Sequence, residues 1–175
     1  MADKYDILIV PDPVLRQKAQ EVSRVDDALR AQLDKMLSTM YEAPGIGLAA
    51  NQVGLLNRVL VMDFAQREDP GTRKPIFMVN PQIVWESEEP SVWEEGCLSI
   101  PGQYADVQRP KAVRVKYLNY KGDPEEGYFE DLGSHCVQHE IDHLNGVLFV
   151  DHLTSLKRNM LLRKLEKARK EQTAL

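Results

Sequence analysis

A chain of 175 residues is the size of one ordinary domain, because a single hydrophobic core serves up to roughly 200 residues before chains divide; the expectation is one catalytic domain over 1–175 with one active site. With 22 basic against 27 acidic residues the net charge is −5, which opposes general binding to nucleic-acid backbone and gives no reason to expect specific DNA contacts. No apolar run approaches the ~20 residues that span a membrane, and Met1 to Asp6 have neither the apolar stretch of a secretory signal nor the Arg/Ser-rich character of a transit peptide, so a cytoplasmic protein with two reduced cysteines is expected.

Leu29, Leu33, Met36, Leu37 and Met40 recur at helical spacing over 26–41, with Asp26 or Asp27 placed to cap the start. This amphipathic helix ends near Pro44-Gly45. Short β-type runs follow at 59–62, 76–79, 83–85 and 112–118, punctuated by Asp69-Pro70-Gly71, Asn80-Pro81 and Lys121-Gly122-Asp123. A second helix is expected from near Asp131 to about Leu144, with Leu132, Cys136, His139, Glu140 and His143 close together on one face and Gly146 as its terminator. A third, over about 155–169, has Leu156, Met160, Leu161, Leu165 and Ala168 on its expected buried side. Its Lys157, Arg158, Arg163, Lys164, Lys167, Arg169 and Lys170 form either a solvated face or a docking surface for an acidic partner. Helices flanking strands without βαβ alternation indicate an α+β fold: mainly antiparallel sheets around a central helix, with an N-terminal and a C-terminal helix.

The central helix carries the chemistry. His139-Glu140-Ile141-Asp142-His143 is an H-E-x-x-H match. Four residues advance a helix by about 400°, so the two imidazoles stand one turn apart with only ~40° of offset and can converge on one metal ion. Glu140, beside His139, can take a proton from a water that the ion has acidified and deliver it to a leaving amine. Such a pattern arises by chance in a chain of this length on the order of once in a hundred.

A catalytic site needs a third protein ligand. Cys136 shares the helical face, but Cys136 to His143 covers two turns, or ~10 Å of rise, while ligand atoms around one tetrahedral ion lie within about 4 Å of each other. Cys136 is better read as a small core residue facing the site. Cys97, in a glycine-flanked loop or strand end, can approach from a different element, and spacing favours it over Cys136. Gly45-Ile46-Gly47-Leu48-Ala49-Ala50-Asn51-Gln52 superficially matches a dinucleotide fingerprint, but a helix precedes it and a strand follows, the reverse of what that fingerprint requires. It is instead either a tight buried connection or a loop against which a substrate backbone can lie, with the Gln52 amide as a donor to an oxyanion.

Three segments together resemble the peptide deformylase family: the G-x-G-L-A-A-x-Q run ending at Gln52, the E-G-C-L-S run from Glu95 to Ser99, and Q-H-E-x-D-H-L from Gln138 to Leu144. The resemblance extends from Pro11 to the C-terminal helix. It implies metal-dependent removal of the N-formyl group from the N-terminal formylmethionine of nascent polypeptides, with release of formate. It also implies a ferrous ion on Cys97, His139 and His143, which zinc, nickel or cobalt can replace, and Glu140 as the acid/base residue. The Gln52 side chain and the Leu98 N–H would hold the oxyanion, and Gly47 would contact the substrate backbone. Ile46, Trp93, Leu132 and Cys136 would line the methionine pocket, Glu95 is placed among the substrate-binding residues, and the basic C-terminal helix is a candidate ribosome contact.

Two positions depart from the family's pattern. Gly133-Ser134-His135 stands where relatives are more aliphatic, and Tyr104 where some have arginine. Both are expected near the substrate entrance, where they bear on peptide preference. Two other readings compete: an H-E-x-x-H metallopeptidase, opposed by the short chain, the cysteine ligand and the lack of the usual third ligand downstream; and a non-catalytic metal-stabilised binding protein, for which His135 or His152 would supply a fourth ligand.

Overall fold

The computed structural model describes residues 3–173, so Met1 and Ala2 of the N-terminal reading lie outside the described residues. A five-stranded antiparallel sheet forms the frame, in the spatial order β1 (Gly47–Ala49), β2 (Val59–Met62), β3 (Ile76–Glu86), β6 (Ala112–Leu118), β7 (Pro124–Glu130). Between β3 and β6 the chain leaves this sheet to form a separate hairpin of β4 (Pro90–Cys97) and β5 (Ile100–Pro110). Helices α1 (Asp27–Glu42) and α3 (Leu132–Leu144) cover opposite faces of the sheet, a single turn α2 (Ala65–Glu68) follows β2, and α4 (Ser155–Thr173) lies outside the hairpin.

The sheet's two faces explain the sequence pattern. Val59 and Val61 pack with Leu29, Leu33, Met36 and Met40 of α1, whereas Leu60 and Met62 pack with Cys136, Val137, Ile141 and Leu144 of α3. β2 is therefore apolar without alternation, as a strand covered on both sides must be. The Asp26 side chain accepts from Leu29 N–H at 2.9 Å and caps α1, as expected. The expected terminator of α3 holds too: Gly146 adopts φ 76°, and a Cβ there would lie against the Arg16 carbonyl, with its carbon 2.8 Å away.

Several expectations need correction. The two runs at 76–79 and 83–85 are one strand, β3. Asn80 takes φ 52° within it and the register shifts between Val79 and Gln82. Asn80-Pro81 is thus a bulge rather than a turn, pinned because the Asn80 amide exchanges two 2.8 Å hydrogen bonds with the Val22 backbone. The glycine-rich segment before Gln52 is not simply a loop: it forms edge strand β1 and a 3-10 turn at Ala50–Val53. Strands β4, β5 and β7 escaped sequence reading because few of their residues are buried, so no apolar alternation marks them. In α4, Leu161 and Leu165 are buried, but Leu156 is 71% exposed, Met160 49%, and Ala168 exposed as well. The helix touches the hairpin core through a narrow stripe that includes Leu162, not through the broad face expected.

Candidate metal centre and active site

Helix α3 is clamped between the large sheet and the hairpin. One turn separates His139 from His143, and their Nε2 atoms lie 3.2 Å apart; from the end of β4, Cys97 Sγ comes within 3.3 Å of His143 Nε2. Bond lengths in a tetrahedral site with thiolate and imidazole ligands place donor atoms roughly 3.3–3.6 Å from each other. Among the described residues these three form the one group of His, Cys and acidic side chains whose ligand atoms converge, all within 4.8 Å. Cys97, His139 and His143 thus fit a divalent ion. The expected fourth ligands of a closed structural site are engaged elsewhere: His135 with Glu95 and Ser91, His152 with Asp142. Three protein ligands leave a position open for chemistry.

The surroundings prepare these donors. His139 Nδ1 is 3.0 Å from Glu95 Oε1, and because a carboxylate only accepts, Nδ1 carries a hydrogen; the neutral ring that ligation requires would then turn its Nε2 lone pair to the cluster. Phe149 stacks on the His139 ring with centroids 6.0 Å apart. Burial, reinforced by the charge of His139, pushes the His143 pKa well below its ordinary value, keeping that imidazole neutral as ligation requires. Burial drives the Cys136 thiol in the opposite sense from a reactive cysteine, well above its ordinary pKa. Cys136 is buried and lines the cavity, outside the group whose ligand atoms converge.

Glu140 is buried, its Oε1 has no hydrogen-bond partner among the described residues, and its carboxylate lies directly against Gly47. A Cβ at position 47 would stand 2.8 Å from the Glu140 carboxyl carbon, so any larger residue there would displace the acid from where it lies. Burial first, then the neighbouring Glu95 and Asp142 charges, outweigh His139 and Arg109 and push the Glu140 pKa up to about 7. A carboxyl so placed exchanges protons near neutrality.

Gln52 is held by its neighbours in a definite orientation. Its Oε1 accepts from Ala49 N–H at 3.0 Å, which turns Nε2 toward Ser99 Oγ at 3.1 Å and Cys97 Sγ at 3.5 Å. The amide NH₂ therefore points at the cluster. Leu98 N–H, the next donor along from Cys97, makes no hydrogen bond among the described residues. The segment before Pro11 ties both elements together, as Leu8 N–H donates to Gln52 O and Val10 N–H to Ser99 O.

Glu95, expected among the substrate-binding residues, lines the cavity, but its carboxylate is fully occupied. Oε2 accepts from Arg109 Nε (2.7 Å) and His135 Nδ1 (2.8 Å), and Oε1 from Arg109 Nη2 and His139 Nδ1 (each 3.0 Å). Burial alone would raise its pKa; the donors from His135, His139 and Arg109 overrule that and hold it well below the usual carboxylate range. Arg109 reaches on to Asp142 Oδ2 at 2.8 Å, so one guanidinium straps the hairpin to α3. Sequence reading missed Arg109, Ser99 and this use of Asp142, since their partners are distant in the chain and no spacing rule joins them.

Beside the cluster opens a cavity of about 550 Å³. Ile46, Gly47, Trp93 and Leu98 line it, together with Leu132, Cys136 and Glu140 of α3. The exposed Tyr104 and Arg67 line it as well. Gln52, Leu98, Gly47 and the expected pocket residues thus line one space with Cys97 and His139.

The polypeptide deformylase family model matches residues 4–159. A peptide deformylase of Phenylobacterium zucineum is 51% identical over 162 residues, covering 93% of this chain and 95% of that protein. One from a Caulobacter species is 54% identical, covering 90% of each. Among solved structures, a peptide deformylase from Legionella pneumophila superposes with a TM-score of 0.89 at 44% identity over 97% of both chains. Another, from Synechococcus elongatus in complex with actinonin, gives 0.85 at 46% identity over 91% of this chain and 86% of that one. With the match running from the N-terminal segment into α4, the chain belongs to the polypeptide deformylase family.

Proposed function

We propose that this chain, acting as one catalytic domain, hydrolyses the N-formyl group of formylmethionyl nascent polypeptides in the cytoplasm. The observation that carries this is the convergence of Cys97, His139 and His143 with the buried Glu140 and the oriented Gln52 amide beside one cavity. A divalent ion on the three ligands supplies Lewis acidity, which makes water acidic enough to be deprotonated at neutral pH and polarises the formyl carbonyl. Glu140 takes the proton of the attacking water and returns it to the departing amine nitrogen. Gln52 Nε2 and Leu98 N–H donate to the oxyanion that develops on the formyl oxygen. Gly47 leaves room for the substrate backbone beside Glu140, and Ile46, Trp93, Leu132 and Cys136 receive the methionine side chain.

The thiolate and two imidazoles accept iron, zinc, nickel or cobalt; on the family resemblance we assign Fe²⁺ as the working ion and the others as replacements during purification. The basic residues of α4 together with the exposed Leu156 and Met160 make that helix the surface for ribosome contact. Protein purified without oxygen and assayed for metal is expected to release formate from formyl-Met-Ala-Ser and to leave acetyl-Met-Ala-Ser intact. Cleavage of the internal peptide bonds would identify a metallopeptidase, and stoichiometric metal without turnover on either peptide would identify a structural site. Co-sedimentation with ribosomes, lost on truncation before Ser155, tests the helix.

A further inference from the structure

His135 is a buried histidine that lines the same cavity but has no part in the metal cluster. It stands one helical turn before His139, and so meets strand β4 from the same side of α3. Both ring nitrogens are engaged there: Nδ1 is 2.8 Å from Glu95 Oε2, and Nε2 is 2.9 Å from Ser91 Oγ. Since Glu95 only accepts, Nδ1 carries a hydrogen, and Nε2 makes the second hydrogen bond with the Ser91 hydroxyl, which serves as donor or acceptor. Ser91, Trp93 and Glu95 alternate onto one face of β4. The two hydrogen bonds therefore grip the strand on either side of Trp93, whose ring centroid is 6.3 Å from that of His135.

Besides its ladder with β5, β4 is tied to α3 through Glu95, which Arg109, His139 and His135 share, and through Ser91, which bonds to His135. Among the described residues it pairs only with β5, and a two-stranded hairpin is marginal without packing; of its residues only Glu95 is buried. Without His135, Trp93, which lines the cavity, would be held to α3 on its Glu95 side alone. A pocket discriminates between apolar side chains only as far as its walls refuse to give.

We propose that His135 is a specificity-determining residue for the first side chain of the substrate. By pinning β4 to α3 on both sides of Trp93, it fixes the width of the compartment between Trp93, Ile46, Leu132 and Cys136, which then admits an unbranched thioether or n-alkyl chain and rejects a branched one. This rests on the deformylase assignment. An aliphatic residue at 135 would fill the volume but make neither hydrogen bond.

The test compares kcat/KM of metallated enzyme on formyl-Met-Ala-Ser, formyl-norleucyl-Ala-Ser and formyl-Leu-Ala-Ser, with metal measured on each preparation. His135→Leu should lower the Met-over-Leu ratio by about tenfold, the scale of discrimination an apolar pocket supplies, with metal per chain unchanged. Ser91→Ala, which removes one of the two bonds outside the cavity, should lower the ratio by a smaller factor. His135→Asn should restore most of it, because its amide N–H donates to Glu95 as Nδ1 did. An equal loss on all three peptides in His135→Leu, or a loss proportional to lost metal, would overturn the proposal. Should His135→Leu not fold, an unmoved ratio in Ser91→Ala overturns it instead. No formate release by metallated wild type on any peptide would overturn the deformylase assignment and this inference together; wild-type turnover with an unmoved ratio overturns the inference alone.

Discussion

Helix α3 and the β4–β5 hairpin each contribute to the candidate metal cluster, and they hold their contributions by different means. Of the thirteen residues in α3 only Leu132 and Asp142 are not buried, so the helix that carries His139, Glu140 and His143 is fixed chiefly by packing. Of the eight in β4 only Glu95 is buried, and Cys97 is delivered to the site by polar links: Glu95 and Arg109 to α3, His135 to Ser91, and Val10 to Ser99. A helix embedded in a core keeps its geometry through apolar contacts spread over many atoms. A hairpin on the surface keeps it through a few hydrogen bonds, each of which one substitution can remove. Changes in the two regions should therefore fail in different ways.

The largest effect is expected at the hairpin's ligand. Cys97→Ser should bring bound metal to background and activity with it, because hydroxyl is a far poorer ligand than thiolate for these ions, while the unmetallated protein stays folded. Cys136→Ala, on the helix, should retain full metal and alter mainly peptide affinity. Metal analysis and circular dichroism on both variants check this, and the reverse pattern would assign the ligand to the wrong thiol.

On the helix side, Glu140→Gln should keep metal and fold, since Glu140 donates to neither, yet lose about 10²–10⁴ in turnover, the range of positioned acid/base catalysis. Activity within tenfold of wild type at full metal occupancy would remove Glu140 from proton transfer. Gln52→Leu should cost somewhat less, about 10²–10³ in kcat with a much smaller change in KM, because its amide acts on the oxyanion more than on the bound formyl group. Normal kcat per bound metal in this variant would leave Gln52 with a structural role only.

The same contrast explains what the sequence made legible. H-E-x-x-H lies within one helix, and four-residue spacing carries its geometry directly, so His139, Glu140 and His143 could be placed together by arithmetic. Cys97 was preferred over Cys136 by the rise of that helix alone. Arg109 could not be found this way: it meets Glu95 fourteen residues back in the chain, across a hairpin whose exposed strands show no apolar alternation. Glu95 was visible as part of a motif, but its use of all its acceptor capacity on Arg109, His135 and His139 depends on how the hairpin lies against α3. In α4, periodicity gave the helix but not its buried side, because nothing in Leu156 or Met160 distinguishes an apolar residue that finds a neighbour from one that does not.

The smallest effect on chemistry, and the sharpest probe of the hairpin's polar fastening, is expected at Arg109. Its side chain is only 4% exposed and that of Glu95 7%, so Arg109→Met leaves a buried carboxylate without its main counter-charge, while the Met stem keeps most of the volume. His135 and His139 still donate to Glu95, which places the expected loss at about 3 kcal/mol, the lower end for breaking a buried pair. Turnover per bound metal should fall less than tenfold, because Arg109 touches neither the candidate ligands nor the cavity. The pH dependence carries the sign of the effect. Glu95 is held below its ordinary value of 4.5 in the fold, so the stability it contributes is fully present above that pH and is lost as the pH falls below it. Removing Arg109 lessens the depression, so the decline in Tm on acidification below about pH 4.5 should be shallower than in its parent. Thermal melts across this window, made in a Cys97→Ser background so that proton competition for metal plays no part, decide the matter. A slope as steep as the parent's would mean that the two histidines alone hold Glu95 ionised and that Arg109 fastens the hairpin through Asp142 instead.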